Sequence, residues 1–383
     1  MTEKQRVHAT LAGQPPRDCS GRPIRVVATP YQMLYYQDHF SEVSGRPAWE
    51  LHKWLHADPP EHVAMFRAMH QRVPFGTIQP QGTPPRELRD RIEFFEKDGA
   101  GFRRDRRTGA IEPVLATKSG HAIDYAAEAE CKVFTAADIA AIRVRHCEQR
   151  LRAGELDYAQ ETVRQMGHDH FIVAGGVIGT VYSCSWHVGL VNVFEMMAAQ
   201  PKLIDELCKR ILEDNIEAIR SVAACGGDAI YIDEATSTGD MISPAHYGRF
   251  SLPYVREMVA EIHRLGQKAI LIYFGAVMDR LDQIASIGAD AMICEASMKG
   301  FRNDIGAIAS QVGSAMTLFG NIDPIAVLQN GSDSELDAEM RRQAIACETA
   351  RGFIMSTGSP ITPSTPLERV QRFLREGSRA GLP

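Results

Sequence analysis

The chain has 383 residues, 44% hydrophobic and 23% charged, with a formal net charge of −6. It can bury a full core without staples, and it lacks the basic balance that a nucleic-acid partner demands. No apolar run approaches the roughly 18 residues of a membrane span, and eight scattered cysteines without a CxxC pair predict a reducing, cytoplasmic setting rather than a disulfide framework.

The first stretch, residues 1–73, contains helical segments at 49–54 and 62–72 and no strand–helix unit, so it reads as an N-terminal helical cap. A strand is expected near PFGTIQP (74–80). Residues 91–130 carry FEKDGAGFRRDRRTGAIEPV, whose glycines among charges predict a β-hairpin insertion. The arginines at 103, 104, 106 and 107 fall in this segment, as a solvated turn before Thr108-Gly109. From Gly167 onward one unit recurs, a short apolar strand, a polar loop and an amphipathic helix. The strands are HFIVAG (170–175), AIYIDEA (229–235), AILIYFG (269–275), AMICEA (291–296), AMTLFGNI (315–322) and GFIMSTG (352–358). They are short, branched and not alternating, as parallel strands covered on both faces are. Ser243-Pro244, Asp323-Pro324 and Thr365-Pro366-Leu367-Glu368 mark helix starts, the last as a capping box. Pro253 is expected to kink the helix after Ser243. With one further strand unplaced, the pattern predicts a (β/α)8 barrel over residues 74–383.

Barrel chemistry sits at the carboxyl ends of the strands. Those ends hold Asp233, Glu234, Tyr273, Glu295, Asn321, Asp323 and Ser359, and the loop after the 170–175 strand adds Trp186 and His187. Asp233 and Glu234 are adjacent, so alternation sends one inward and one outward. Asp323 reads as a helix cap and Asn321 as a loop-backbone partner. His168 and His170 precede their strand, at the opposite end of the barrel, and read as structural. No HExxH, His-x-Cys or CxxC pair predicts a metal.

Several stretches resemble the uroporphyrinogen decarboxylase superfamily: IDEATSTGDMISPAHYGRFSLPYVREMV (232–259), LFGNIDPIAVLQNG (318–331), GFIMSTGSPITPSTPLERV (352–370) and IGTVYSCSWHVGLVNVFEMMAAQPKLIDEL (178–207). The resemblance implies the same barrel and two branches of activity. True decarboxylases carry an RQAGR-like segment that holds the substrate carboxylates, and the first 100 residues here have none. Corrinoid-linked methyltransferases of the thiol-methylating kind bind zinc through His-x-Cys-Gly and a cysteine in STGC. Those positions here are Ile272, Phe274 and Ser359, so no zinc is expected at that site.

The resemblance therefore implies methyl transfer from a small methylated or methoxylated compound to a corrinoid (cobalamin) carried by a partner protein. Glu234 or Glu295 would donate a proton to the leaving group, with Tyr273 and His187 as alternative donors. Asp233, Trp186, Ile272, Phe274, Asn321 and Ser359 would shape the substrate site. A Glu234→Gln change is expected to lower turnover more than stability. Cofactor-free decarboxylation of uroporphyrinogen or another carboxylate is the alternative, and a binding protein without catalysis is a third reading.

Overall fold

A computed structural model describes all residues except 18–20, 22–23, 115–133, 299 and 381–383; the last part of the expected 91–130 hairpin lies outside the described residues. Eight strands form one parallel sheet: β1 (Val27–Ala28), β2 (Thr77–Ile78), β3 (Phe171–Ile178), β4 (Ala229–Asp233), β5 (Lys268–Tyr273), β6 (Ala291–Cys294), β7 (Thr317–Phe319) and β8 (Phe353–Ser356). Their order is β1-β8-β7-β6-β5-β4-β3-β2. The two edge strands meet through the Gly76 N–H, which donates to Val27 O at 2.7 Å. That approach explains a glycine at 76: a Cβ there would stand 2.4 Å from Val26 Cγ1. The barrel is thereby nearly closed, and the unplaced strand is β1, inside the segment read as a helical cap. Val27 and Ala28 are too short a run to stand out by periodicity.

The expected strand ends are trimmed by a few residues, because chain beyond the ladder turns into the loops. Two helix starts differ. Pro253 opens a second helix instead of kinking one, since the chain breaks at Ser251 between Pro244–Phe250 and Leu252–Arg264. Thr365 does not cap: the last helix starts at Leu367, and the Thr365 hydroxyl pairs with that of Thr362 at 2.9 Å. Ser243 and Asp323 do cap, accepting bonds from His246 N and from Ile325 N and Ala326 N. The hairpin segment forms a three-stranded antiparallel sheet, Ile92–Lys97, Ala100–Asp105 and Ile111–Pro113.

Alternation sorts the strand residues into two cores. Ala28, Phe171, Val173, Tyr231, Ile270, Ile272, Ile293, Phe319 and Ile354 fill the lumen. Ile230, Ile232, Leu271, Tyr273, Met292 and Cys294 pack outward against the helices. Helix α1 (Glu3–Leu11) adds Val7 and Leu11 to the lumen cluster. It is held at the amino ends of the strands: Lys4 N bonds Asp169 O, and Lys4 Nζ and His8 Nε2 both bind Asp228 Oδ1, at 2.9 and 3.0 Å. This end is plugged, which leaves the carboxyl ends for chemistry. Among the described residues no helix is long and apolar enough to cross a membrane.

Candidate active site

In-register pairing carries Asp233 to Ile272 and Ile272 to Ile293, so these three share the lumen side. Phe274 packs against the lumen cluster, and Glu295, two residues past Ile293, follows on the same face. Asp233 and Glu295 thus belong to strands two places apart, roughly 10 Å across the sheet. That spacing suits two separate acids flanking a small molecule, not a pair sharing one proton.

Asp233 is buried. Burial raises its pKa to about 6, against the pull of bonds from the Tyr31 hydroxyl and the Ala235 N–H. Tyr31 Oη donates to Asp233 Oδ2 at 2.7 Å, and its ring stands edge-on to Tyr231 and tilted over Phe274. Its backbone sits at φ 53°, a left-handed conformation that a bulky residue rarely adopts. Tyr31 was not among the expected site residues. Its signal is faint: the short run RVVA followed by Thr29-Pro30, an apolar strand and a breaker within a segment otherwise helical.

Glu295 is also buried, and its Oε1 accepts from Ser359 Oγ at 3.0 Å. Ser359, at the position where the resemblance implies a thiolate ligand, carries a hydroxyl committed to a carboxylate. Ile272 is fully buried hydrocarbon and Phe274 an aromatic wall, so these residues do not fit zinc. Asn321 does what its loop position suggested, donating to Asn303 O at 2.9 Å. Asn303, absent from the expected set, ties the strand ends together: its Nδ2 reaches Gly275 O at 3.0 Å and Glu295 O at 2.9 Å.

Glu234 and Tyr273 point the other way. Glu234 accepts a short bond from Ser251 Oγ, in the break between the helices α2 (Pro244–Phe250) and α3 (Leu252–Arg264). Tyr273 Oη pairs with Tyr247 Oη of α2 at 2.8 Å. Both lie in the helix layer, where they cannot meet a substrate in the lumen. Trp186 is 67% exposed and stands edge-on to Tyr182, with His187 beside it, also exposed; neither enters the lumen.

The outward placement changes the expected effect of Glu234→Gln. Burial raises Glu234 to about 7, against hydrogen bonds from Ser251 and Ser237, with the Asp233 charge adding to the rise. A carboxyl with a folded value above its unfolded one loses native stability as pH climbs between the two. Removing it should shift the stability difference in the variant's favour by about 3 kcal/mol between pH 5 and 8, with turnover changed only a few-fold. Denaturant titrations at the two pH values measure this; a pH-independent difference would show that Glu234 does not titrate there.

The family model for uroporphyrinogen decarboxylase (URO-D) matches residues 116–379. Uroporphyrinogen decarboxylase of Syntrophotalea carbinolica is 25% identical over 86% of this chain and 94% of its own. The methylcobamide:CoM methyltransferase MtbA of Methanosarcina mazei is 24% identical over 53% of this chain and 56% of its own. In solved structures, a methyltransferase from Methanosarcina mazei superposes with a TM-score of 0.67 at 17% identity, covering 99% of both chains, which carries the barrel fold alone. With the family model spanning well over half of its length, the chain belongs to the uroporphyrinogen decarboxylase (URO-D) family.

Proposed function

We propose that this protein moves a methyl group from a small, uncharged or cationic methylated compound to a corrinoid held by a partner protein. The observation that carries this reading is the charge of the barrel mouth. Among the described residues, Asp233 takes its side-chain bonds from a phenol and a backbone N–H rather than from a cation. An octacarboxylate substrate needs fixed cations. The arginines of the antiparallel sheet are already engaged, Arg103 with Glu112 and Arg104 with Glu93.

The corrinoid would supply the nucleophile. The chain's own task is to seat the methyl donor among Ile272, Phe274 and Tyr231 and to protonate what leaves. As the bond between methyl carbon and heteroatom breaks, its electron pair stays on the heteroatom, which takes the Asp233 proton. Tyr31 holds that carboxyl in place. Four exposed apolar side chains, Trp186, Val191, Met241 and Ile325, lie in segments that follow β3, β4 and β7, where a partner must approach the mouth.

The second reading, decarboxylation without a cofactor, draws on the near full-length match to a protein named uroporphyrinogen decarboxylase. One experiment separates the two. The protein is mixed anaerobically with cob(I)alamin, or a candidate corrinoid protein, and methyl-labelled methoxyarenes or methylamines. Label is expected to pass to the cobalamin, while uroporphyrinogen stays unchanged. Stepwise loss of acetate carboxylates, with no label transfer from any donor, would install the decarboxylase.

A further inference from the structure

At the plugged end of the barrel, far from the mouth, three side chains from distant parts of the sequence converge. They are Glu3 on α1, His70 near the end of the helix Pro59–Arg72 and His170 just before β3. Their ligand atoms all lie within 4.8 Å of one another. His170 Nδ1 is 2.6 Å from Glu3 Oε2, and His70 Nε2 is 3.7 Å from the same oxygen. The two rings meet edge to face at 5.1 Å.

Proton placement makes His70 the informative member. Tyr36 Oη lies 3.0 Å from Val73 O and 3.1 Å from His70 Nδ1. A phenol has one hydrogen, and the carbonyl can only accept, so that hydrogen goes to Val73. His70 Nδ1 must then be the donor to Tyr36, which leaves Nε2 with a lone pair in the neutral ring. His70 is 3% exposed, and Nε2 makes no hydrogen bond. A buried lone pair therefore faces a carboxylate oxygen, an arrangement that calls for a positive charge between them.

We propose that Glu3, His70 and His170 form a structural site for a first-row divalent cation of the zinc type. Two imidazoles and a carboxylate suit such an ion. Ligand atoms around a tetrahedral zinc stand about 3.3 Å apart; His70 and Glu3 are near that spacing, and Glu3 and His170 need only part slightly. Tyr36 orients the His70 ring as an outer partner. A cavity of about 100 Å³, lined by Glu3, Arg6, Arg25, Val26 and Gly76, meets the cluster at Glu3 and has room for a water as the remaining ligand. The ion would staple the plug helix to the two segments that lead into β2 and β3. Its role is separate from the mouth residues Ile272, Phe274 and Ser359, which remain unfit for zinc.

The test uses the full chain, stripped with a chelator and titrated with Zn²⁺ and with Co²⁺. The expected result is one ion per chain, the visible bands of low-coordinate cobalt and a higher Tm in the loaded protein. His170→Gln, at a partly exposed position, should fold and lose binding at least ~10-fold. Tyr36→Phe keeps all three ligands and should weaken binding roughly 10–100-fold. Absence of binding by the wild-type chain, or equal binding by wild type and His170→Gln, would overturn the site and leave a proton-bridged histidine–carboxylate cluster.

Discussion

Asp233→Asn should cost methyl transfer about 10²–10⁴-fold, the usual loss for a positioned proton donor. The amide keeps the volume and its one oxygen can still accept from Tyr31, so what is lost is the acidic proton together with the acceptor for the Ala235 N–H. The pH profile should carry the same signature. Because Asp233 titrates near 6 and must be protonated to act, turnover of the wild type should fall above that pH. Tyr31 lowers the Asp233 value through its hydrogen bond, so Tyr31→Phe should move the fall to higher pH. Substrate KM and kcat measured from pH 5 to 8 for the three proteins decide the matter. Near-normal turnover by Asp233→Asn would transfer the acid role to Glu295.

Gly358→Ala should lower Tm by several degrees and disable the site together. A Cβ at 358 would stand 2.5 Å from Ala296 N and 2.9 Å from both Cys294 O and Glu295 C. These are backbone atoms at the end of β6, so no rotamer change relieves the contact. Forced insertion into packed structure costs about 1–3 kcal/mol, and here the segment that must yield carries Glu295, with its Ser359 partner next to the substitution. Thermal melts and turnover should fall in parallel. An alanine variant with unchanged melting and activity would show that β6 and the segment after β8 can part freely.

Much of this architecture was legible in the chain, for identifiable reasons. Six strands from residue 170 onward are dense in branched apolar residues and separated by capped helices, so local pattern and global fold agree. Strand β1 escaped because two residues have no period, and its place comes from pairing with Met355 and Ser356. At the site, adjacency alone could not tell which of Asp233 and Glu234 enters the lumen; the register with Ile272 decides it. Tyr31 was hidden because it acts on a residue 202 positions away, and Asn303 because it acts through backbone carbonyls, which leave no mark in the sequence. The Glu3–His70–His170 cluster was hidden as Tyr31 was, its members having no motif spacing at all.

The pairing of the first strand with the last bears on how the chain folds as it is made. Val27 and Ala28 find their strand partners only at Met355 and Ser356, and the neighbouring Thr29 hydroxyl meets that of Thr357 at 2.7 Å across 328 residues of sequence. During synthesis, this early stretch must wait beside the ribosome until β8 emerges, while the units from β3 onward can assemble as they appear. Closure is the step of longest range and hence slow, and until it happens the flank of β8 is an open edge able to recruit another chain. Slower elongation late in the message, or a chaperone that shields that edge, should therefore raise the yield of native barrel more than any change that speeds the middle of the sheet.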